Sequence, residues 1–242
     1  MLGLGSNLST SSSNLITPTI VTDLLVQSTR FTSGAVVPVS DGAAYFFNVD
    51  HIDISAVTMD TDGNCSFVFW AKRTEVSSED AVIGHTSQTG YQILRFNSNT
   101  TMALESASSD EATITLHSPN DFDWHHYAII CTSGTVTAYQ DGVSCSVANA
   151  AMGSNTTFDT IGAAGSDGDS KNFQGYLCNL GLYTRAITDA EVKSIMNSNY
   201  AGLTKGEKVN LREWWNLDSS VRVGSDDLTN NSVNLNHGIL TD

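Results

Sequence analysis

The chain has 242 residues, of which 26 are acidic and 11 basic, and its formal net charge at pH 7 is −15. Nucleic-acid binding relies on Lys and Arg to displace counterions from phosphates, and anionic membranes repel an acidic chain, so the charge argues against both kinds of partner. Hydrophobic residues make up 40% of the chain and charged residues 15%, a composition typical of an all-β protein with a polar surface, and no apolar run is long enough for membrane insertion.

Residues 1–30 are the first predicted segment. They are rich in Ser, Thr and Asn with short apolar islands, and they could not form a core alone. We expect an extended N-terminal arm that docks on another protein, with a disordered tail as the alternative. The segment also lacks the basic region and the continuous apolar stretch of a secretory signal peptide.

From residue 31 the pattern changes to short β-rich runs separated by Gly, Asn, Asp and Ser. These runs include GAAYFFNV, HIDISAV, CSFVFWAKR, DAVIGHT, YQILRFNS, ATITLHS, WHHYAIICT, TVTAYQ and GYLCNLGLY. Many short strands at even spacing are typical of a sandwich or barrel and argue against βαβ units. We therefore predict an all-β domain over residues 31–203.

The stretch DFDWHHYAIICTSGTVTAYQDGV, residues 121–143, could hold a metal or an acid–base site, because two histidines lie beside aspartates. Side chains alternate between the faces of a strand, so His125 and His126 would point in opposite directions and could not share a metal ion. Asp141 and Gly142 tolerate the positive φ angles of a tight hairpin turn. The sequence therefore predicts two strands and a turn, with both histidines serving the scaffold.

One helix is predicted in TDAEVKSIMNSNYAG, residues 188–202. Thr188 and Glu191 have the spacing of a capping box, in which each side chain bonds to the backbone of the other residue. The apolar stripe of the helix would consist of Val192, Ile195 and Met196. Gly202 is the expected stop.

The last predicted segment, residues 204–242, contains LREWWNLDSS followed by a polar end. Trp214 and Trp215 carry large apolar areas that are costly to leave in water. We therefore expect this segment to pack on the domain or on a neighbouring molecule.

The four cysteines have no spacing typical of a metal site. They are Cys65, Cys131, Cys145 and Cys178. We expect reduced core residues, since small thiols are often buried. A disulfide that involves Cys178 is the alternative if the protein is exported.

Several of these runs resemble laminin-G-like, concanavalin A-like domains. The stretch at 121–143 is similar to that family's W-H-H-x-A and Y-x-D-G-x core, and FQGYLCNLGLYTRAITDAEV resembles its closing strand, arginine turn and capped helix. SFVFWAKR, AVIGH and TIGAAG resemble further strands in the family's order. The resemblance covers residues 31–203 and implies a jelly-roll sandwich of two antiparallel sheets, with one short helix near the C-terminal side.

Both ends of the chain carry further likenesses. The segment from LREWW to HGILTD is similar to the one that usually opens such a domain, so it would complete the sandwich as in a circular permutation, or swap into a neighbour. MLGLGSNLST resembles the start of small structural proteins of tailed phages, several of which carry laminin-G-like domains.

Two loops offer oxygen ligands of the kind that calcium prefers. MDTDGNC places Asp60, Asp62 and Asn64 at alternate positions, but Ala71 stands where a twelve-residue calcium loop needs Glu. The loop GSDGDSKN holds Asp167 and Asp169. We interpret both loops as polar turns. No cofactor is therefore predicted, calcium stays the alternative, and the metal ligands are unknown.

No catalytic residue is predicted. β-Glucan hydrolases of this fold class place two carboxylates on one strand face, on either side of the glycosidic bond, and the chain has no Glu-x-Asp-x-x-Glu run. Glu79 and Asp80 are adjacent and would face opposite sides of a strand. A nucleophile elbow, a phosphate loop and a His-Glu-x-x-His motif are absent from the sequence as well.

Aromatic side chains could form a platform on which sugars stack. The candidates are Trp70, Tyr91, Tyr127 and Tyr139. The alternative is that they fill the core, which is our expectation for Trp70 and for Trp124.

These patterns together predict a non-enzymatic structural component of a phage virion, a capsid decoration or tail-associated protein that could also adhere to surface glycans. The expected partners are other virion proteins, bound through the arm, and further copies of the chain in a homo-oligomer. The alternative is a secreted carbohydrate-binding lectin module with an extracellular location.

Overall fold

The computed structural model describes residues 37–76, 79–86, 92–108, 111–119, 121–165 and 171–218. The chain divides into two units, Met1–Val37 and Pro38–Asp242, and the strands described below belong to the second. The predicted arm, residues 1–30, and residues 219–242 of the predicted C-terminal segment lie outside the described residues. None of the described helices is long and apolar enough to cross a membrane.

The described residues are built mainly of β-strands joined by turns. In chain order the strands are β1 (Ala44–Phe46), β2 (Ile52–Met59), β3 (Cys65–Arg73), β4 (Asp80–Gly84), β5 (Ile93–Phe96), β6 (Thr101–Glu105), β7 (Glu111–Thr115), β8 (His125–Thr132), β9 (Thr135–Gln140), β10 (Val143–Ala148), β11 (Thr156–Ile161), β12 (Gly175–Tyr183) and β13 (Leu211–Trp215). An α-helix, α1 (Asp189–Ile195), and a 3₁₀ turn, Tyr200–Gly202, lie between β12 and β13.

The strands form two antiparallel sheets that share β10. Sheet I has the order β1–β12–β3–β8–β9–β10, with β13 also beside β12, and sheet II has the order β10–β7–β6–β5–β4–β11–β2. The first half of β10 pairs with β9 and its second half pairs with β7. The predicted all-β antiparallel sandwich of the concanavalin A-like type is confirmed.

The main core lies between the two sheets. Phe67 of β3 packs edge-on against Phe158 of β11, with ring centroids 5.6 Å apart, and Phe96 of β5 packs against Tyr127 of β8 at 5.2 Å. Each pair joins a strand of sheet I to a strand of sheet II. Burial of these rings therefore stabilises the stacking of the sheets.

A second apolar cluster, the outer cluster, covers part of the outer face of sheet I. Val68 of β3 and Ile130 of β8 meet Val192 and Ile195 of α1 there, together with Trp214 of β13. Both faces of β3 are covered in this way, which explains why its sequence CSFVFWAKR is almost continuously apolar rather than alternating.

The predicted capping box begins α1. The Thr188 hydroxyl accepts a hydrogen bond from the Glu191 backbone N–H at 3.3 Å, and the Glu191 carboxylate accepts one from the Thr188 N–H at 2.8 Å. The hydrogen bond from Arg185 to Glu191, together with the bonds from Thr188, lowers the pKa of Glu191 to about 2. The predicted box is confirmed, and it is fixed to the preceding turn by an ion pair.

The predicted stop of the helix at Gly202 is wrong, because α1 ends at Ile195. Asn197 and Ser198 donate side-chain hydrogen bonds to carbonyl groups of the last helical turn, at 2.8 and 3.2 Å. Side chains that bond to nearby backbone in this way compete with continuation of a helix. The Gly202 N–H instead donates to the Asn199 side chain and closes the 3₁₀ turn.

Strands β1 and β13 share one edge of β12. β1 pairs with the first half of β12 and β13 with its second half. Trp215 packs in the main core and Trp214 in the outer cluster, and both are buried. Gly181 is required opposite Trp214, because a Cβ at that position would lie 2.6 Å from the indole ring. The described part of the C-terminal segment thus packs on sheet I of the same chain.

All four cysteines are free and buried. Cys65 and Cys131 are direct partners on β3 and β8. Their mutual contact and burial raise the pKa of the Cys65 thiol, and burial raises the pKa of Cys178 to about 12. A thiol with a raised pKa is a poor nucleophile at neutral pH, so these cysteines act as packing residues.

Candidate functional site

Four aromatic rings form a continuous row on the outer face of sheet I, which we call the aromatic strip. In order they are Phe47, Tyr45, Tyr176 and Trp124, with neighbouring ring centroids 6.4, 4.7 and 6.3 Å apart. Phe47 is 41% exposed, and the other three side chains are half-buried. Large aromatic side chains left at the surface in one contiguous patch often mark a binding surface.

The strip follows from the alternation of side chains along each strand. Ala44 and Phe46 lie in the main core, so Tyr45 and Phe47 face outward. Tyr176 of β12 is the direct cross-strand partner of Tyr45. The strip is therefore set by strand register, which brings together residues from distant parts of the chain.

Lys72 lies within the aromatic strip. It pairs with Tyr176 across β3 and β12, and the pairing of Ala71 with His125 places Trp124 next to Lys72 on the other side. β3 separates the strands that carry the two rings by roughly 9–10 Å, yet the centroids of Tyr176 and Trp124 are 6.3 Å apart. The two rings therefore lean towards each other across β3.

The chemistry of the strip suits a ligand that has both apolar faces and hydroxyl groups. Aromatic rings offer apolar area for stacking, and the phenol groups of Tyr45 and Tyr176 add hydrogen-bonding atoms. A sugar ring presents a C–H face and a rim of hydroxyl groups. Because the strip extends over four side chains, it can accommodate several sugar units in a row.

His125 anchors the start of β8 directly after Trp124. Its Nδ1 lies 2.6 Å from an Asp141 carboxylate oxygen and its Nε2 lies 3.0 Å from an Asp121 carboxylate oxygen. Burial alone would lower the pKa of His125, but the hydrogen bonds and charges of the two aspartates outweigh burial and raise it. The second Asp141 oxygen accepts the His126 N–H at 2.8 Å. This cluster therefore fixes the chain from which Trp124 projects.

His126 points to the opposite face and packs edge-on against Trp70, with ring centroids 5.4 Å apart. Burial lowers the pKa of His126 to about 3, so its ring is neutral at physiological pH. The predicted divergence of the two histidines is confirmed, and Asp141 and Gly142 have the predicted positive φ angles of 52° and 74°. Across the described ranges, no three His, Cys, Asp or Glu side chains are grouped as metal ligands.

The aromatic residues that the sequence suggested for a sugar platform are not part of the aromatic strip. Trp70 and Tyr127 are buried, and the Tyr139 hydroxyl donates to Asp189 of α1. Tyr91 lies outside the described residues. The expectation that Trp124 fills the core is wrong: it precedes β8, lies outside the outer cluster and is half-buried.

Sequence reasoning assigned none of the four residues to the aromatic strip: it placed Trp124 in the core and did not single out the other three. The alternation in AYFF, residues 44–47, carries a signal, since it places Tyr45 and Phe47 on the face opposite Ala44 and Phe46. Tyr176 gives no comparable signal, because its role depends on which strand pairs with β1.

The first candidate calcium loop is a turn closed by its own hydrogen bonds. The Asp60 carboxylate accepts the Asn64 N–H at 3.3 Å, and the Asn64 side chain accepts the Ser133 N–H at 3.2 Å. In the better orientation of its amide, Asn155 donates to both Asp60 and Asp62. The second candidate loop, with Asp167 and Asp169, lies outside the described residues.

Glu79 and Asp80 bind different cations. Glu79 lies 2.6 Å from the Lys171 ammonium, and Asp80 accepts a hydrogen bond of 2.9 Å from Arg73 Nε. The two carboxylates therefore do not act as a pair, and they take part in separate ion pairs at the start of β4.

A carboxylate pair that the sequence did not reveal lies on the outer face of sheet II. Glu105 and Glu111 are direct partners on β6 and β7, and the Arg95 guanidinium donates to both, at 2.6 and 2.7 Å. A glycosidase needs a protonated acid and a second carboxylate with the scissile bond between them. Here the guanidinium occupies the position between the carboxylates, so the arrangement is an ion-pair network.

Comparison with models of protein families identifies the superfamily of the chain. A family model described as concanavalin A-like lectin/glucanases superfamily, of the laminin-G type, matches residues 47–193, more than half of the sequence. The chain belongs to the concanavalin A-like lectin/glucanases superfamily. The predicted family is thereby confirmed. None of the curated proteins compared with the chain matches it.

Solved structures share the superfamily fold at low identity. A candidate carbohydrate binding protein from Bacteroides ovatus ATCC 8483 is 16% identical with a TM-score of 0.56, and the match covers 75% of this chain and 53% of that one, about half its length. The heptameric SAP-like pentraxin of Limulus polyphemus is 14% identical with a TM-score of 0.50, and the match covers 79% and 88%. These likenesses show that the chain has the superfamily's lectin-like fold.

Proposed function

We propose that the protein binds carbohydrate through the aromatic strip and does not transform it. The observation that carries the proposal is the row of four adjacent rings on the outer face of sheet I, from Phe47 to Trp124. The family match supports it, since the description of that superfamily names lectins, which bind carbohydrate. The lectin-type relative from Bacteroides ovatus, described as a candidate carbohydrate binding protein, is in keeping with the same function.

The absence of catalysis is part of the proposal. Glu105 and Glu111 are held by Arg95, and Asp121 and Asp141 are held by His125. Each of these close carboxylate pairs in the described ranges thus has a basic side chain that contacts both of its members. The strip itself carries aromatic rings and Lys72, and it brings no two carboxylates to opposite sides of a bound sugar.

A glycan array followed by calorimetric titration tests the carbohydrate proposal. Tyr176→Ala and Phe47→Ala should each weaken binding about 3- to 10-fold, because a stacked aromatic contact contributes about 0.5–1.5 kcal/mol. Val143→Ala is the matched control, since Val143 is an exposed apolar residue on β10. The proposal fails if the wild-type protein binds no glycan on the array, or if the strip variants bind as the wild type does.

We further propose that the protein carries out this binding as a structural component of a phage virion, a capsid decoration or tail-associated protein. The likeness of MLGLGSNLST to the start of small phage structural proteins supports this setting. Residues 1–30 would attach the protein to other virion proteins, and the sandwich would face outward as part of a homo-oligomer. The alternative is a secreted carbohydrate-binding module, which the aromatic strip and the fold support equally.

Mass spectrometry of purified particles distinguishes the two settings. Stoichiometric presence in virions that survive a density gradient supports the structural role. Recovery from the culture medium, with none in the particles, overturns the virion setting and leaves the carbohydrate proposal in place. A variant that lacks residues 1–30 should no longer copurify with particles, and it should retain glycan binding.

A further inference from the structure

Lys72 sits at the centre of the proposed binding surface. Tyr176 flanks it on β12 and Trp124 on the side of β8, and its own side chain is half-buried. The rings of Tyr176 and Trp124 approach each other across β3. A ligand that packs on these two rings therefore lies directly over the lysine.

The Lys72 ammonium forms no hydrogen bond or ion pair within the described part of the chain. Lys193, Lys205 and Lys208 form no ion pair in the described ranges either, so Lys72 is distinguished by its place between two aromatic rings. Four cations of the described ranges do form ion pairs: Arg73 with Asp80, Arg95 with Glu105, Lys171 with Glu79 and Arg185 with Glu191.

The residues that surround Lys72 on the outer face are uncharged. Its cross-strand neighbours are Tyr176 and Trp124, and its neighbours along β3 on the same face are Trp70 and Thr74. The carboxylates nearest in sequence to Trp124 are Asp121, which is bound to His125, and the exposed Asp123. Lys72 is therefore a half-buried residue among aromatic rings that has no ion-pair partner in the described ranges.

We propose that the aromatic strip recognises acidic glycans, in which Lys72 pairs with the carboxylate of a uronic or sialic acid unit while the rings pack on the sugar faces. This inference rests on the proposed carbohydrate function and adds the class of ligand. A hydrogen bond between two ionised groups is stronger than one between neutral groups, so it favours the acidic sugar over its neutral analogue. The net charge of −15 repels anions in general. The preference must therefore come from Lys72 itself.

The test is calorimetric titration with ligands that differ in charge alone. The probes are pentagalacturonate and its fully methyl-esterified form, and sialyllactose and its methyl ester. At one fixed salt concentration, the wild type should bind the acidic member of at least one pair about tenfold more tightly. Lys72→Gln should remove that preference, so that the acidic and the neutral member of the pair bind with equal affinity, and Lys72→Arg should retain it.

Lys205→Gln is the matched control, because Lys205 is an exposed lysine outside the strip. A melting temperature of Lys72→Gln equal to that of the wild type shows that the fold of the variant is intact. Equal binding of acidic and neutral sugars by the wild type, or an acidic preference that survives in Lys72→Gln, overturns the inference and leaves the carbohydrate function standing. Failure of every glycan on the array to bind overturns both proposals.

Discussion

Trp70 of β3 and Trp124, which directly precedes β8, are placed by the strand register on the same face of sheet I and differ in burial. Trp70 is 1% exposed and packs on His126, whereas Trp124 is half-buried and contacts Tyr176. A buried tryptophan leaves a cavity when it is truncated, and a surface one leaves little. Substitutions at these two residues should therefore have different effects, on stability at Trp70 and on ligand binding at Trp124.

Substitution of each tryptophan by alanine checks this difference. Trp70→Ala should lower the free energy of unfolding by about 3–5 kcal/mol, as for other buried aromatic residues. Trp124→Ala should lower it by about 1 kcal/mol or less and should weaken glycan binding. Urea denaturation and calorimetry measure the two effects. A loss of stability at Trp124 equal to that at Trp70 would contradict its surface role.

His125 makes the stability of the fold depend on pH. The pKa of His125 is raised in the folded protein, and the pKa of Asp121 is lowered by the backbone N–H of Asp123 and by His125, against burial. The contribution of a raised histidine pKa is complete below the unfolded value of about 6.5 and is lost as the pH rises through the folded value. The contribution of Asp121 is lost at the acidic end, as the pH falls through its folded pKa.

The free energy of unfolding of the wild type relative to His125→Gln should therefore be larger at pH 5.5–6 than at pH 8.5. The comparison with the variant removes the opposite effect of His126, whose lowered pKa is common to both proteins. Urea titrations at the two pH values provide the measurement. If the difference in free energy of unfolding between the wild type and His125→Gln instead grows towards pH 8.5, the raised pKa of His125 is contradicted.

At the scale of elements, the stability of α1 depends on its N-cap residue, Thr188. The helix has seven residues, and helices this short are marginal without caps and packing. Thr188→Ala should lower the free energy of unfolding by about 1 kcal/mol, because it removes the hydroxyl that accepts the Glu191 N–H. Thr188→Ser keeps that oxygen and should stay close to the wild type in thermal melting. If both variants melt alike, the cap contributes nothing measurable.

Strand β13 is a second element whose contribution can be isolated. Trp215→Ala should cost about 3–5 kcal/mol, because Trp215 is buried in the main core. Deletion of residues 209–242 removes the strand and both tryptophans, so it should lower the melting temperature further than the point variant does. Deletion of residues 219–242 alone is the control for the residues beyond β13. Unchanged melting after the longer deletion would show that the edge of β12 needs no partner there.

Whether a feature of α1 could be predicted from the sequence depends on how local the interactions are that determine it. The capping box was predictable because it is local: two side chains and two backbone groups within four residues define it. The end of the helix was not predictable from Gly202, because Asn197 and Ser198 bond to the last carbonyl groups before a glycine is needed. Competition between side chain and helix depends on rotamers that a sequence pattern does not contain.

At the scale of the whole molecule, the sandwich was predictable and the candidate site was not. Regular strand spacing and the runs at 121–143 and 173–192 indicate two sheets, and the family match over residues 47–193 agrees with them. The aromatic strip depends on the pairing of Tyr45 with Tyr176, two positions far apart in the chain. Register of this kind follows from packing of the complete fold, so local alternation identifies Tyr45 and Phe47 as outward residues but cannot name their neighbours.

The division of β10 between the two sheets has a mechanical consequence. One unbroken path of hydrogen-bonded strands runs from β1 at one end to β2 at the other, and it turns the corner of the sandwich within this strand. Separation of the two layers therefore requires rupture of one of the ladders beside β10 in addition to exposure of the main core, because the layers are joined at this corner by backbone hydrogen bonds as well as by packing.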